Sequence, residues 1–147
     1  MASFVTSNSK SLSGSIRVPG DKSISHRSII LGSIATGTTR ISGFLQGEDS
    51  LATLNAFKDM GVLIKRDGSD VTIQGVGMHG LNAPTKPLNL GNSGTSIRLM
   101  SGLLSAQSFD SELCGDESLS KRPMGRVIEP LRQMGADISG PDSMPPL

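Results

Sequence analysis

Apolar residues recur at helical spacing from Ser23 onward (Ile24, Ile30, Leu31, Ile34, Ala35), and Gly37 closes the run, which predicts a helix over about 23–35. Residues 15–18 ahead of it can form a short strand that stops at Pro19. Residues 38–41 are β-branched around Arg40 and read as a strand ended by Gly43. Asp49 or Ser50 can cap a second helix that carries Leu51, Leu54, Phe57 and Met60 along one face and ends at Gly61. Two alternating runs, 62–65 and 71–74, flank Arg66-Asp67-Gly68-Ser69-Asp70, a hairpin with Asp-Gly in its turn. Residues 75–92 are punctuated by glycine and proline and read mostly as loop.

The pattern then begins again. Gly94-Thr95-Ser96-Ile97-Arg98 parallels Ser23-Ile24-Ser25-His26-Arg27, with the arginines 98 − 27 = 71 residues apart. A helix over 94–106 and a strand over 109–114 follow. Leu131 to Ile138 then parallels Phe57 to Ile64, with the Met-Gly pairs 134 − 60 = 74 residues apart. Offsets this close indicate an internal duplication of a strand–helix–strand–helix–strand–strand unit. The fold class expected is α/β (α+β in some schemes). The divisions expected are an N-terminal arm over 1–14, a first unit over about 15–85 and a second over about 86–147. The second unit stops where the first continues through its hairpin, so the chain reads as a fragment of a longer one.

Composition narrows the function. With 14 Lys+Arg against 13 Asp+Glu the net charge is +1, which argues against bulk nucleic-acid binding. Four Phe are the only aromatics, too few for the stacking platforms that hold single strands. Cys114 is the single cysteine, so neither a disulfide framework nor a cysteine-based metal cluster is available. Residues 1–10 are polar and no run approaches a membrane span, so a soluble, cytoplasmic protein is expected.

The candidate chemistry lies at helix starts. Lys22, Ser23 and Arg27 put an ammonium, a hydroxyl and a guanidinium fork beside the N–H groups and positive dipole end of the first helix, a combination suited to phosphate. Gly91-Asn92-Ser93-Gly94-Thr95 lets backbone N–H groups turn toward a ligand, and Arg98 recurs in register with Arg27. Both arginines have an alternative structural role, bonding carbonyls between the two units. Lys121, Arg122 and Arg126 surround a further helix start, where the dipole disfavours cations unless an anion is present, and Pro123 fits its first turn. A P-loop is excluded because Asp21 separates Gly20 from Lys22. His26 and His79 lack acidic or cysteine companions for a metal, and Met60, Met100 and Met134 read as core.

Together, Asp21-Lys22-Ser23-Ile24-Ser25-His26-Arg27, Gly91-Asn92-Ser93-Gly94-Thr95 and Lys121-Arg122-Pro123-Met124 resemble the enolpyruvyl transferase family, in its order and spacing and over essentially the whole chain. The match is strongest to the branch that uses shikimate 3-phosphate in aromatic amino-acid biosynthesis. The resemblance implies repeated βαβαββ units in an inside-out α/β barrel of two lobes, with this chain holding one complete and one nearly complete unit of the N-terminal lobe. The arm over 1–14 would associate with the other lobe. It implies transfer of the enolpyruvyl group of phosphoenolpyruvate to the 5-hydroxyl of shikimate 3-phosphate, with no metal and no organic cofactor. Lys22 would contact both substrates and serve catalysis. Ser23 and Arg27 would bind shikimate 3-phosphate, Gly94 (through its N–H) and Arg122 would bind phosphoenolpyruvate, and Asn92 and Thr95 would be neighbours.

Leu99 and Ser118 depart from the better-known branch, while Gly94 keeps its residue, which leads to the expectation that the parent enzyme is sensitive to glyphosate, the family's inhibitor at the phosphoenolpyruvate site. The partners implied are the two small-molecule substrates and the missing C-terminal portion, with no nucleic acid and no membrane. This chain alone is expected to be inactive. The competing readings are a fragment of the sister enzyme acting on a UDP-amino sugar, and a non-catalytic anion-binding or assembly module.

Overall fold

A computed structural model describes residues 3–8 and 11–147. Parts of the arm expected over 1–14 (Met1, Ala2, Ser9 and Lys10) lie outside the described residues. The rest of that arm is exposed chain without regular structure, and so are residues 15–18, expected as a strand. Strand conformation needs a partner edge to take up its N–H and C=O groups, and none of the described strands pairs with this stretch. Its alternating apolar residues stay in solvent, with Ile16 87% and Val18 71% exposed.

Helix α1 (Lys22–Ile34) starts one residue before the expected position because Asp21 is its cap, its carboxylate accepting the Ile24 N–H at 2.7 Å. The lead-in is fixed by close approach. Gly20 lies so tightly on the Gly43 carbonyl that any Cβ there would collide with it. Strand β1 (Thr36–Ile41) follows, then helix α2 (Glu48–Asp59), strand β2 (Leu63–Asp67) and strand β3 (Asp70–Val76). The expected Asp49 or Ser50 cap is not used. Gly47 occupies the cap position without a side-chain bond, so α2 begins earlier and Asp49 is left in its first turn. At the other end Gly61, at φ +89°, turns the chain into β2 as expected.

The three strands form an antiparallel sheet in the order β1-β3-β2, with Thr39 opposite Ile73 and Ile64 opposite the same Ile73. Helices α1 and α2 cover one face of it. Ile29, Phe57, Met60 and Ile73 are completely buried between them. Gly32 and Gly75 permit the contact, since a Cβ on Gly75 would sit 2.3 Å from the Ala35 carbonyl oxygen.

The second half is built from shorter pieces. Strand β4 (Leu88–Asn89) appears where loop was expected, and β5 (Leu113–Cys114) is all that forms of the strand expected over 109–114. They pair in parallel, Leu88 opposite Leu113. Leu113 also exchanges two backbone hydrogen bonds with Leu147, of 2.8 and 3.0 Å, so a third segment lies along this small sheet. Helix α3 (Gly94–Leu104) packs on α2 and on α5 (Gly125–Gln133), with Ile97, Met100, Leu119, Met124 and Ile128 buried between the layers. A single-turn helix, α4 (Glu117–Ser120), lies between β5 and α5, and a 3-10 turn (Pro141–Ser143) approaches the C-terminus. Pro123 stands outside α5, one residue before its Met124 cap, not in the first turn as expected. Met134, read as core, is 82% exposed. The result is a mixed α/β fold. Among the described residues no helix is long and apolar enough to cross a membrane.

Candidate functional site

Two contacts fix how α1 and α2 run. Lys22 in the first turn of α1 forms an ion pair with Asp49 in the first turn of α2. One turn further along each helix, His26 Nδ1 lies 2.8 Å from Thr53 Oγ1. Matching steps of four residues mean that the helices run parallel, with their N-termini at the same end. Thr53 Oγ1 in turn lies 2.6 Å from Ser96 Oγ, in the first turn of α3. Three helix N-termini are therefore neighbours, with their free N–H groups and positive dipole ends gathered in one region.

On the α1 side lie Lys22, Ser23 and Arg27. The Lys22 side chain is 51% exposed and Asp49 22%, so the pair is a screened surface contact that an incoming anion can compete with. Arg27 donates from Nη1 to the Ser23 carbonyl at 3.2 Å, and Arg98 donates likewise to the Gly94 carbonyl at 2.9 Å. The two arginines thus share one conformation at repeated positions. The expected alternative, bonds between the units, is not what forms: each folds back along its own helix.

On the α3 side the loop Gly91-Asn92-Ser93 is held by Asp116. The Asp116 N–H donates to the Gly91 carbonyl at 2.9 Å, and the Asn92 amide donates to its carboxylate at 2.8 and 3.1 Å. The same carboxylate caps α4 through the Leu119 N–H at 2.8 Å. The Asn92 hydrogen bond, with the Leu119 and Ser118 N–H groups, lowers the Asp116 pKa from the ordinary aspartate value. The Asn92 amide oxygen accepts from Arg122 Nη2, which brings that guanidinium over the start of α3. Gly94 lies directly beneath: a Cβ added there would stand 2.7 Å from Nη1 of both Arg98 and Arg122. Its N–H donates to the Asn92 carbonyl at 3.0 Å, and the Ser96 N–H donates to Ser93 Oγ at 3.1 Å. Thr95 sits half-buried between these two.

The residues expected from sequence thus fall into two clusters. Asn92, Gly94, Thr95 and Arg122 come together around the start of α3, and Lys22, Ser23 and Arg27 around the start of α1. They are joined through the buried His26, Thr53 and Ser96 side chains. Sequence reasoning missed the roles of Asp49, which it offered only as a helix cap, and of Asp116. It also set His26 aside as no metal ligand and gave it no role. His26 is fully buried, but it is hydrogen-bonded at Nδ1, and its Nε2 has no partner among the described residues. Burial first, and then the Lys22 charge, push its pKa below the ordinary value of 6.5. The surface is open at both clusters. Concavities lie elsewhere: about 800 Å³ between Arg17–Gly20 and Gly43–Gly47, and about 370 Å³ between α3 and the C-terminal segment.

The profile of the family described as EPSP synthase (3-phosphoshikimate 1-carboxyvinyltransferase) matches residues 6–146. The chain is 67% identical over 147 residues to the 3-phosphoshikimate 1-carboxyvinyltransferase of Ruthia magnifica, covering 100% of this chain and 34% of that protein. It is 58% identical over 145 residues to the Streptococcus sanguinis protein of the same name, covering 97% of this chain and 34% of that one. Its fold superposes on the solved EPSP synthase of Acinetobacter baumannii with a TM-score of 0.86 at 62% identity, over 90% of this chain and 31% of that structure. The chain spans about a third of the length of the curated relatives it matches.

Proposed function

The chain belongs to the EPSP synthase family, and from that premise we propose that it carries part of the substrate surface of a 3-phosphoshikimate 1-carboxyvinyltransferase. The reaction transfers the enolpyruvyl group of phosphoenolpyruvate to the 5-hydroxyl of shikimate 3-phosphate and releases phosphate. The observation that carries this reading is the gathering of three helix N-termini with one ammonium and several guanidinium groups. Two polyanions need such a surface: point and fork-shaped cations beside oriented N–H groups.

Lys22, Ser23 and Arg27 hold shikimate 3-phosphate. Arg122, steered by Asn92, and the first turn of α3 hold phosphoenolpyruvate. Lys22, on the side that faces both ligands, stabilises charge as it moves between them. The Gly94 N–H already serves the Asn92 carbonyl, so a carboxylate or phosphate at this turn shares that donor and meets Thr95 beside it. Asp49 acts on the same step by holding Lys22 in place until an anion takes over its charge.

The finer architecture we propose is a pair of βαβαββ units, about 15–85 and 86–147, within the inside-out barrel of an N-terminal lobe. The arm over 1–14 belongs with a second lobe. Strand register supports the repeat: Leu113 opposite Leu147 repeats Thr39 opposite Ile73, since 113 − 39 = 74 and 147 − 73 = 74. That is the offset of the Met-Gly pairs in the sequence. The rest of the enzyme is the partner that completes the cleft, and the full protein works as a soluble cytoplasmic enzyme.

An amide-resolved NMR titration tests the reading, with shikimate 3-phosphate added first and phosphoenolpyruvate second. Saturable shifts at Lys22, Ser23 and Arg27 with the first ligand, and at Asn92, Gly94 and Thr95 with the second, are expected. Shifts that appear only elsewhere would overturn the assignment of these residues.

A further inference from the structure

Four buried polar side chains run in a line between α1, α2 and α3: His26, Thr53, Ser96 and Ser93, all 0% exposed. The successive distances are 2.8, 2.6 and 2.6 Å. Ser93 Oγ accepts from both the N–H and the hydroxyl of Ser96; the Thr53 hydroxyl, which also reaches the Asp49 carbonyl at 3.3 Å, donates over the shorter 2.6 Å to Ser96, and Thr53 accepts from His26. The arrangement that uses each proton once therefore runs from His26 Nδ1–H to Thr53, to Ser96 and to Ser93. Nothing in the substrate assignment uses this line, yet it joins the two clusters that assignment names.

We propose that neutral His26 is a positioning residue, holding the first turn of α3 in register with the first turns of α1 and α2 through the Thr53 and Ser96 hydroxyls. The proposal rests on the reading above only for what that register serves, namely the spacing between Lys22 and Gly94. The link itself is a property of this chain without ligand.

Physical chemistry gives the link a switch. A second proton would go on Nε2, which is buried without a partner, so a charged donor would be stranded in the interior. The charged groups acting on the ring are Lys22 and Arg27 on α1, which oppose protonation, and Asp49 on α2, which favours it. From α3 it meets the hydroxyl of Ser96, 3.4 Å away. Protonation therefore requires the ring to leave its position, and the line of hydroxyls loses its first donor.

Amide hydrogen exchange on this chain tests the link, with protection of Gly94 to Ile97 followed as pH is lowered and corrected for intrinsic rates. In the wild type, protection is expected to fall by about tenfold as His26 takes up a proton, while Val71 and Ile73 in the sheet keep theirs. Thr53→Val is expected to have the low value at every pH, and Thr53→Ser to restore the wild-type profile. Imidazole nitrogen shifts should report the Nδ1–H tautomer. Protection at α3 that stays flat while His26 titrates would overturn the proposal, as would Thr53→Val behaving like wild type. Because no substrate is used, failure here leaves the substrate assignment standing, and failure of the ligand titration leaves the link standing.

Discussion

Asn92 does at the residue scale what a longer sequence separation hides: its amide donates to Asp116 while its oxygen receives Arg122, so one side chain aims another. Gly94 lies under that guanidinium, and Gly94→Ala should fold, because the atoms a Cβ would meet are the far ends of two flexible arginines. Its stability is expected within about 0.5 kcal/mol of wild type in a thermal melt. The Asn92 side-chain amide resonances should nevertheless shift, as Arg122 is displaced. Unchanged Asn92 resonances would contradict the geometry.

Titration acts at the same scale. His26 is held below 6.5 in the folded chain, so the unfolded chain binds more protons, and the stability that His26 contributes is lost as pH falls from 6.5 through its folded value. Asp116 has the same sign in a separate window. Its contribution is complete above the ordinary 3.8 and is lost as pH falls below it. Denaturant melts at stepped pH should therefore show two declines, and His26→Asn should remove only the upper one.

Among the elements, glycine sets the spacing between α1 and β3. A side chain at Gly75 meets the Ala35 and Gly32 carbonyls, which are backbone and cannot move aside. Gly75→Ala should cost about 1–3 kcal/mol through forced separation of helix and sheet. Equilibrium urea unfolding measures this, and a neutral outcome would mean that α1 is not seated as described. The elements also show where sequence was informative. Local signals sufficed for the existence of α1, α2, α3 and the β2–β3 hairpin, since helical spacing, closing glycines and an Asp-Gly turn are written within a few residues, while the N-caps of α1 and α2 fell at Asp21 and Gly47. Residues 15–18 have the right alternation for a strand and no edge to join, because pairing depends on chain far away in sequence. The same limit hid Asp49 and Asp116. Asp49 looked like a helix cap and Asp116 like no more than a loop acid, and the role of each comes from a partner 27 or 24 residues distant, since 49 − 22 = 27 and 116 − 92 = 24. Arg27 and Arg98 were legible because the duplication repeats them, and Lys22, Gly94 and Arg122 because each stands at a helix start. The hydroxyl line was not, since Thr53 and Ser96 become neighbours only after three helices pack.

For the molecule as a whole, transferase chemistry needs a closed, water-poor cleft, and both clusters here face open solvent. With both substrates present, purified chain is expected to release no phosphate above the uncatalysed background. Measurable turnover would mean that the catalytic groups are already complete in this third of the enzyme's length.

The parallel run of α1 and α2, with the start of α3 beside theirs, has a kinetic consequence. Antiparallel helices cancel one another's fields, whereas parallel ones such as α1 and α2 add, and the end where the first turn of α3 joins them, carrying Lys22, Arg27, Arg98 and Arg122, becomes the positive pole of a chain whose net charge is only +1. Such a molecule attracts little as a whole but turns a small polyanion toward one end as it approaches. Association of shikimate 3-phosphate, the ligand proposed for this end, should therefore slow steeply as salt shortens the screening length from roughly 30 Å at 0.01 M to about 8 Å at 0.15 M, while the escape rate changes little.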